Sequence, residues 1–284
     1  MRGAAAALCG ALLALATASA SAADPDPKQG ELIFNIGGCT SCHTAKGGQV
    51  LAGGDPLKTP FGDFYPPNIT PDPETGIGKW SEADFTRAMR QGRGPDGSPL
   101  YPAFPYTSYT KLTDEDVSAL WAYVRGLPPV RQPSKPHELS FPYSIRWGLN
   151  FWQDLFFEPG RFRPDPGHDA AWNRGAYLAE GPGHCEECHT PRGFMGQRLS
   201  DRAYAGAPNP SGKGKIPNLT SDPEVGIGKW SMDDLVTALT LGMLPNGDFL
   251  GQQMAEVVRN STGKLPREDV LALATYIKSL PPAR

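Results

Sequence analysis

Cysteine is scarce in this chain: five residues among 284, four of them gathered in two short clusters. A disulfide framework is not expected, because a sequence of this length can bury proper cores without covalent staples. An excess of charge of one sign is lacking too. Against 30 acidic residues stand 27 basic ones, a formal charge of −3, and removal of Arg2 with a leader makes it one unit more negative. Nucleic-acid binders are usually basic, so this composition argues against that class. Long hydrophobic runs are missing after the first two dozen residues, and no transmembrane span is expected in the mature chain. Strand-like alternation is missing as well. In excess are glycine and proline, 33 and 30 residues, about twice the usual share, as loops wrapped around a bound group would require.

The two clusters are Cys39-Thr40-Ser41-Cys42-His43 and Cys185-Glu186-Glu187-Cys188-His189. Each CxxCH supplies two thiols that can form thioethers with haem vinyl groups and an adjacent imidazole for the iron. A four-cysteine zinc site would need the pairs to converge, yet Cys42 and Cys185 lie 143 positions apart, and structural zinc pairs usually share one small module. Zinc also leaves the histidine after each second cysteine unexplained. A thioredoxin-like pair would follow a strand, and neither does. Two covalently bound c-type haems are therefore expected, attached through Cys39, Cys42, Cys185 and Cys188, with His43 and His189 as proximal ligands.

Residues 1–23 read as a secretory signal: Arg2, an apolar run from Ala4 to Ala16, then Ala18-Ser19-Ala20 and Ala20-Ser21-Ala22 as small-residue cleavage sites. Cys9 lies within it. Haem is attached to such motifs after export, so the periplasm is the expected location, with any membrane association peripheral.

The chain repeats itself. Pro67-Asn68-Ile69-Thr70, Asp72-Pro73-Glu74 and Gly76-Ile77-Gly78-Lys79-Trp80 return 150 positions later as Pro217-Asn218-Leu219-Thr220, Asp222-Pro223-Glu224 and Gly226-Ile227-Gly228-Lys229-Trp230. Lys111-Leu112 and Leu127-Pro128-Pro129 likewise recur as Lys264-Leu265 and Leu280-Pro281-Pro282. The expected organisation is a domain over 24–130, a linker over 131–168 and a second domain over 169–284. The expected fold class is all-α, an arrangement that resembles two tandem class I cytochrome c domains joined by an aromatic-rich linker. Ser81 and Ser231 are expected N-caps, with Asp84 and Asp234 three residues on. Phe85, Ala88 and Met89 then form one apolar face, mirrored by Leu235, Ala238 and Leu239, and Gly92 or Gly242 closes the helix. Val117, Leu120, Trp121 and Val124, mirrored by Val270, Leu273, Ala274 and Ile277, mark the last helix of each copy. In the linker, Ile145, Leu149, Trp152 and Phe156 suit one helix face. The linker is expected to pack on both domains, the other reading being an exposed aromatic docking patch.

A methionine thioether commonly fills the sixth position of haem iron. Met254 is expected to do so in the second copy, whereas Met195, Met232 and Met243 are expected to pack or face solvent. Moving back 150 positions reaches Phe104, whose ring cannot donate to iron. Met89 sits on a helix face and is expected in the core. The sixth ligand of the first haem stays open: none, water, or a local group such as Tyr101, Tyr106 or Tyr109, with His137, His168 and His184 as further candidates. Trp80 and Trp230 are expected either to donate to a haem propionate or to pack in the core. Asp72 with Glu74 and Asp222 with Glu224 are expected to be solvated turn carboxylates and not calcium ligands.

Gly37-Gly38-Cys39 to Thr44, the Asn-Ile-Thr-Pro-Asp-Pro-Glu-Thr-Gly-Ile-Gly block, Leu100-Tyr101-Pro102-Ala103 and Gly183-His184-Cys185 to Arg192 resemble the cytochrome c subunit of bacterial membrane-bound alcohol, gluconate and aldehyde dehydrogenases. Members of that group typically carry three haems and a C-terminal tail, and the alcohol-dehydrogenase type has Met where this sequence has Phe104. Similar dihaem subunits serve molybdenum-containing dehydrogenases. The resemblance implies an electron-transfer subunit: a partner dehydrogenase catalytic subunit as donor, and a quinone, an oxidase or another cytochrome of the respiratory chain as acceptor. No catalytic residue is implied. The alternative is a dihaem enzyme acting at an open first haem, in the manner of a peroxidase or a thiosulfate dehydrogenase.

Overall fold

Two helix crossings organise the chain, and a glycine makes each of them possible. The computed structural model describes residues 24–210 and 214–283, so the expected leader and Cys9 lie outside the described residues. The first copy runs α1 (Pro27–Ile36), α2 (Cys39–His43), β1 (Leu57–Thr59), β2 (Gly62–Phe64), α3 (Glu82–Gln91), α4 (Tyr106–Tyr109) and α5 (Asp114–Arg125). Between the copies come β3 (Glu138–Leu139) and α6 (Gly148–Phe156). The second copy repeats the order with α7 (Ala170–Glu180), α8 (Glu186–His189), β4 (Ala207–Pro208), β5 (Lys215–Ile216), α9 (Met232–Leu241), α10 (Gln252–Asn260) and α11 (Arg267–Ser279). Short 3-10 turns lie at Ser200–Arg202 and Thr262–Lys264.

α1 packs on α5, and α7 on α11. A Cβ on Gly30 would stand 2.2 Å from the Ala119 carbonyl oxygen, and one on Gly175 would stand 2.0 Å from that of Ala272. Backbones can approach this closely only where one helix lacks a side chain. A polar contact accompanies each crossing. Gln29 Nε2 donates to Asp116 Oδ1, and Arg174 forks onto both oxygens of Asp269 at 2.7 and 2.8 Å.

The helix signals read from sequence hold. Ser81 and Ser231 each close a capping box with the aspartate three residues on, satisfying N–H groups that the first turn leaves unpaired. α3 and α9 end at Gly92 and Gly242, both in the left-handed region with φ of 59° and 70°. Phe85, Ala88, Met89, Leu235, Ala238 and Leu239 are buried, as are Val117, Leu120, Val124, Val270, Leu273, Ala274 and Ile277. Trp121 is half-buried against Phe85.

Strands are where the structure departs from the sequence reading, which found none. β1, β2 and β3 form a small antiparallel sheet in that order, and β4 pairs with β5. Each has only two or three residues, too few for an alternating pattern to show. Helices still dominate, and no described helix is long and apolar enough to cross a membrane.

α6 touches both copies. Gln153 Nε2 donates to the carbonyls of Gln91 and Gly92, while Trp152 Nε1 donates to that of Met195 at 2.9 Å. Its inner face holds Leu149, Trp152 and Phe156 as expected, but Ile145 is exposed. Trp147, Phe151 and Leu155, spaced one turn apart, face solvent on the other side.

Candidate functional site

Each CxxCH folds as a short helix that presents its two cysteines three residues apart. Gly38, with φ of 62°, turns the chain from α1 into α2. At the other end His43 Nδ1 donates to the Pro67 carbonyl at 2.7 Å, and His189 Nδ1 donates to the Pro217 carbonyl at 2.8 Å. A carbonyl can only accept, so Nδ1 carries the proton and the Nε2 lone pair is left for a metal. Burial lowers the pKa of both imidazoles and keeps them neutral. A glycine passes close behind each histidine: Gly53 N–H donates to the His43 carbonyl at 3.0 Å, and Gly206 N–H to that of His189 at 2.8 Å.

The repeated Pro-Asn-[Ile/Leu]-Thr block fixes those proline carbonyls. Asn68 is buried, donating from Nδ2 to the carbonyls of Val130 and Gln132 and accepting from Thr70 N–H and Oγ1. Asn218 does the same with Ala283 and Thr220. Further along, Asp72 Oδ1 accepts from the N–H groups of Glu74 and Thr75 and from the Thr75 hydroxyl, while Glu74 pairs with Lys79 on the surface. Asp72 and its counterpart Asp222, which accepts from the N–H groups of Glu224 and Val225, are therefore buried and each holds a turn, where solvated carboxylates were expected.

All four thiols are unpaired. Burial pushes Cys39 and Cys185 up to about 12 and Cys42 up to about 11, and raises Cys188 as well. With nothing bound to them these are protonated thiols at neutral pH. Among the described residues no three or more His, Cys, Asp or Glu side chains are grouped to hold a metal ion. Paired neutral thiols beside an imidazole whose Nε2 has no protein partner among the described residues suit a haem held by thioethers.

The two motifs face one another across a pseudo-two-fold interface. Thr107 Oγ1 on α4 donates to Glu187 Oε1 on α8 at 2.6 Å, and in mirror image Asn260 Nδ2 on α10 donates to Ser41 Oγ on α2 at 3.1 Å. Lys111 Nζ pairs with Glu180 Oε2, and its counterpart Lys264 Nζ reaches Asn35 Oδ1 at 3.4 Å. Such reciprocity, in which i meets j and j meets i, is the mark of an isologous contact. Near its centre Tyr109 Oη donates to the Gly37 carbonyl at 3.0 Å, and the His184 ring lies edge-on to Tyr109.

On the side expected to supply sixth ligands, the copies differ. Met254 lies half-buried in the first turn of α10. Val258, one turn on and therefore on the same face, is buried within its own copy against Gly242. Phe104 packs against Tyr109, with ring centroids 5.5 Å apart. Met89 is in the core, Met232 packs against it and Met243 is on the surface. Tyr101 donates to the Tyr143 carbonyl at 3.0 Å, and Tyr106 is buried against Phe157. His137 Nδ1 accepts from Tyr65 N–H, His168 stacks on Trp172 and His184 Nε2 bonds the Gly37 carbonyl. Trp80 and Trp230 pack against the core.

Residue-by-residue reasoning missed Pro67, Pro217 and the interface pairs. The repetition of the proline block was the one available signal for the first two.

Comparison with known proteins adds an independent line. Residues 27–128 match the family model described as cytochrome c. Over 90% of its length the chain is 45% identical to the cytochrome c subunit of an alcohol dehydrogenase (quinone) of Komagataeibacter europaeus, covering 56% of that protein. It is 44% identical to a diheme cytochrome c-type protein of Cereibacter sphaeroides, over 90% of this chain and 86% of that one. To the gluconate 2-dehydrogenase cytochrome c subunit of Pantoea cypripedii it is 41% identical, over 99% of this chain and 65% of the relative. The chain thus spans little more than half the length of the alcohol dehydrogenase subunits it matches.

Proposed function

The chain belongs to the family of dehydrogenase cytochrome c subunits and dihaem cytochromes c, and on that footing we propose that it is a periplasmic dihaem electron carrier. It takes electrons from a partner dehydrogenase and passes them towards the respiratory chain. One class I cytochrome c domain is built by each copy of the repeat, residues 24–130 and 169–284, with 131–168 as the linker. Cys39 and Cys42 would hold the first haem and Cys185 and Cys188 the second. Haem bound there supplies reversible one-electron exchange at its iron, while the protein sets its potential and surroundings.

The observation that carries this reading is the pair of histidines whose Nδ1 atoms are tied to the Pro67 and Pro217 carbonyls. Each bond holds its imidazole in one tautomer and orientation, so Nε2 stays an electron-pair donor. Asn68 and Asn218 keep the carbonyls in place. Met254 would offer its thioether to the iron of the second haem.

Phe104 favours a second reading, in which the first haem lacks a protein sixth ligand and acts on a small molecule. Carbon monoxide added to the reduced protein separates the two. A pure carrier with closed coordination leaves the spectrum unchanged, whereas an open first haem shifts half of the Soret band. Turnover with peroxide or thiosulfate would then establish an enzyme, and its absence a carrier.

A further inference from the structure

The repeat places the same hairpin on both copies, but among the described residues only the first copy covers it. In the first copy Arg93 bridges Pro99, and 150 positions later Met243 bridges Phe249 in the same way. The first hairpin lies under the linker. Arg93 Nη1 donates to Asn150 Oδ1 at 2.5 Å, Arg146 Nη1 donates to the Pro99 carbonyl at 3.0 Å, and Gln153 Nε2 reaches the carbonyls of Gln91 and Gly92. Pro99 is buried as a result. Its counterpart Phe249 is 69% exposed, and Leu241, the counterpart of Gln91, is 68% exposed. Met243 stands exposed where the first copy has Arg93.

The uncovered surface is thus the apolar one. Where the first copy keeps Arg93 and Pro99 beneath its own helix, with Gln91 exposed at the edge, the second offers Leu241, Met243 and Phe249 to solvent. Three grouped apolar side chains, two of them at positions the twin keeps covered, mark a docking surface. We propose that this surface seats an amphipathic helix of the partner dehydrogenase, laid across the end of α9 as α6 lies across the end of α3. The covered twin shows which chemistry fits: an apolar face carrying an amide side chain that can reach the carbonyls of Leu241 and Gly242. A second copy of this chain does not supply that helix, because the inner face of α6 is already engaged by Gln91, Gly92, Arg93 and Met195. An anionic lipid surface is disfavoured by Asp248 at the hairpin. The inference rests on the electron-transfer reading only for the identity of the protein that brings the helix.

The probe is a fluorescent synthetic peptide with the sequence of residues 145–158, titrated into the full-length haem-loaded protein and followed by anisotropy. A peptide this short pays to become helical, so saturation in the micromolar range is the expected result. Met243→Glu with Phe249→Glu should weaken binding roughly tenfold or more, with the Soret spectrum unchanged because both side chains are exposed. A photoreactive group replacing Trp152 in the peptide should label residues 241–249. No binding to the wild type, equal binding to the double variant, or labelling elsewhere would overturn the proposal. Haem content and reducibility are read on the same samples, so a failed electron-transfer reading is seen separately from a failed docking surface.

Discussion

Thr107 on α4 donates its hydroxyl proton to Glu187 on α8 at 2.6 Å, so a side chain of the first copy holds the attachment helix of the second. Asn260 and Ser41 return the contact in the other direction. Glu187 is further held by Arg192, with Arg198 at 3.6 Å. The CxxCH segments, 143 residues apart in sequence, are therefore clamped together in space, an arrangement suited to sharing electrons within one molecule.

Loosening the clamp should cost stability in proportion to the hydrogen bonds lost. Thr107→Val and Asn260→Ala should each destabilise the haem-loaded protein by about 1 kcal/mol, and the double variant by roughly the sum, since the contacts are separate. Denaturant unfolding followed at the Soret band measures this. Unchanged midpoints in all three variants would show that the interface does not depend on these pairs.

The two helix crossings make a sharper prediction. Gly30→Ala and Gly175→Ala each drive a methyl group into a backbone carbonyl of the partner helix, and overpacking of this kind costs about 1–3 kcal/mol or more. Thermal melts of the purified variants should fall accordingly, while Gly97→Ala, which meets nothing within 4 Å, pays only for its positive φ.

Two methionines should respond in opposite ways. Met254→Ala should convert one of the two haems to a high-spin form and lower its potential, because a thioether ligand is lost. Met89→Leu, a near volume-conserving change in the core, should cost less than about 1.5 kcal/mol and leave the spectrum untouched. Spectra and redox titration of both variants decide the assignment, and an unaltered Met254→Ala spectrum would remove Met254 from the role.

Acid should act partly through Asp72. The Thr75 hydroxyl, opposed by burial and helped by the N–H groups of Thr75 and Glu74, holds its carboxyl below the usual range. A group depressed in the folded state stabilises fully above its unfolded pKa, about 4, and loses that contribution as pH falls through the lower folded value. Asp72→Asn should therefore be less stable than wild type above about pH 4, with the difference closing below it. Paired acid titrations of Soret absorbance test this, and parallel curves at every pH would contradict it.

The sequence revealed what side chains declare locally. The CxxCH motifs, the Ser81 and Ser231 caps, and the buried faces of α3, α5, α9 and α11 all follow from residue type and spacing within a few positions. Pro67 and Pro217 were hidden because a main-chain carbonyl has no signature of its own. The clamp was hidden for another reason. Its counterparts are Thr107 and Asn260, Ser41 and Glu187, pairs that keep a geometric role without keeping residue identity. β1 to β5 are too short to carry a pattern, and β3 pairs only because the linker returns across the first copy.

Haem stoichiometry tests the account at its root. Pyridine haemochrome absorbance together with intact mass on the purified protein should give two covalently bound haems per chain, and Cys39→Ala with Cys42→Ala should leave one. A mass equal to that of the bare polypeptide, or a single haem in the unaltered chain, would contradict it.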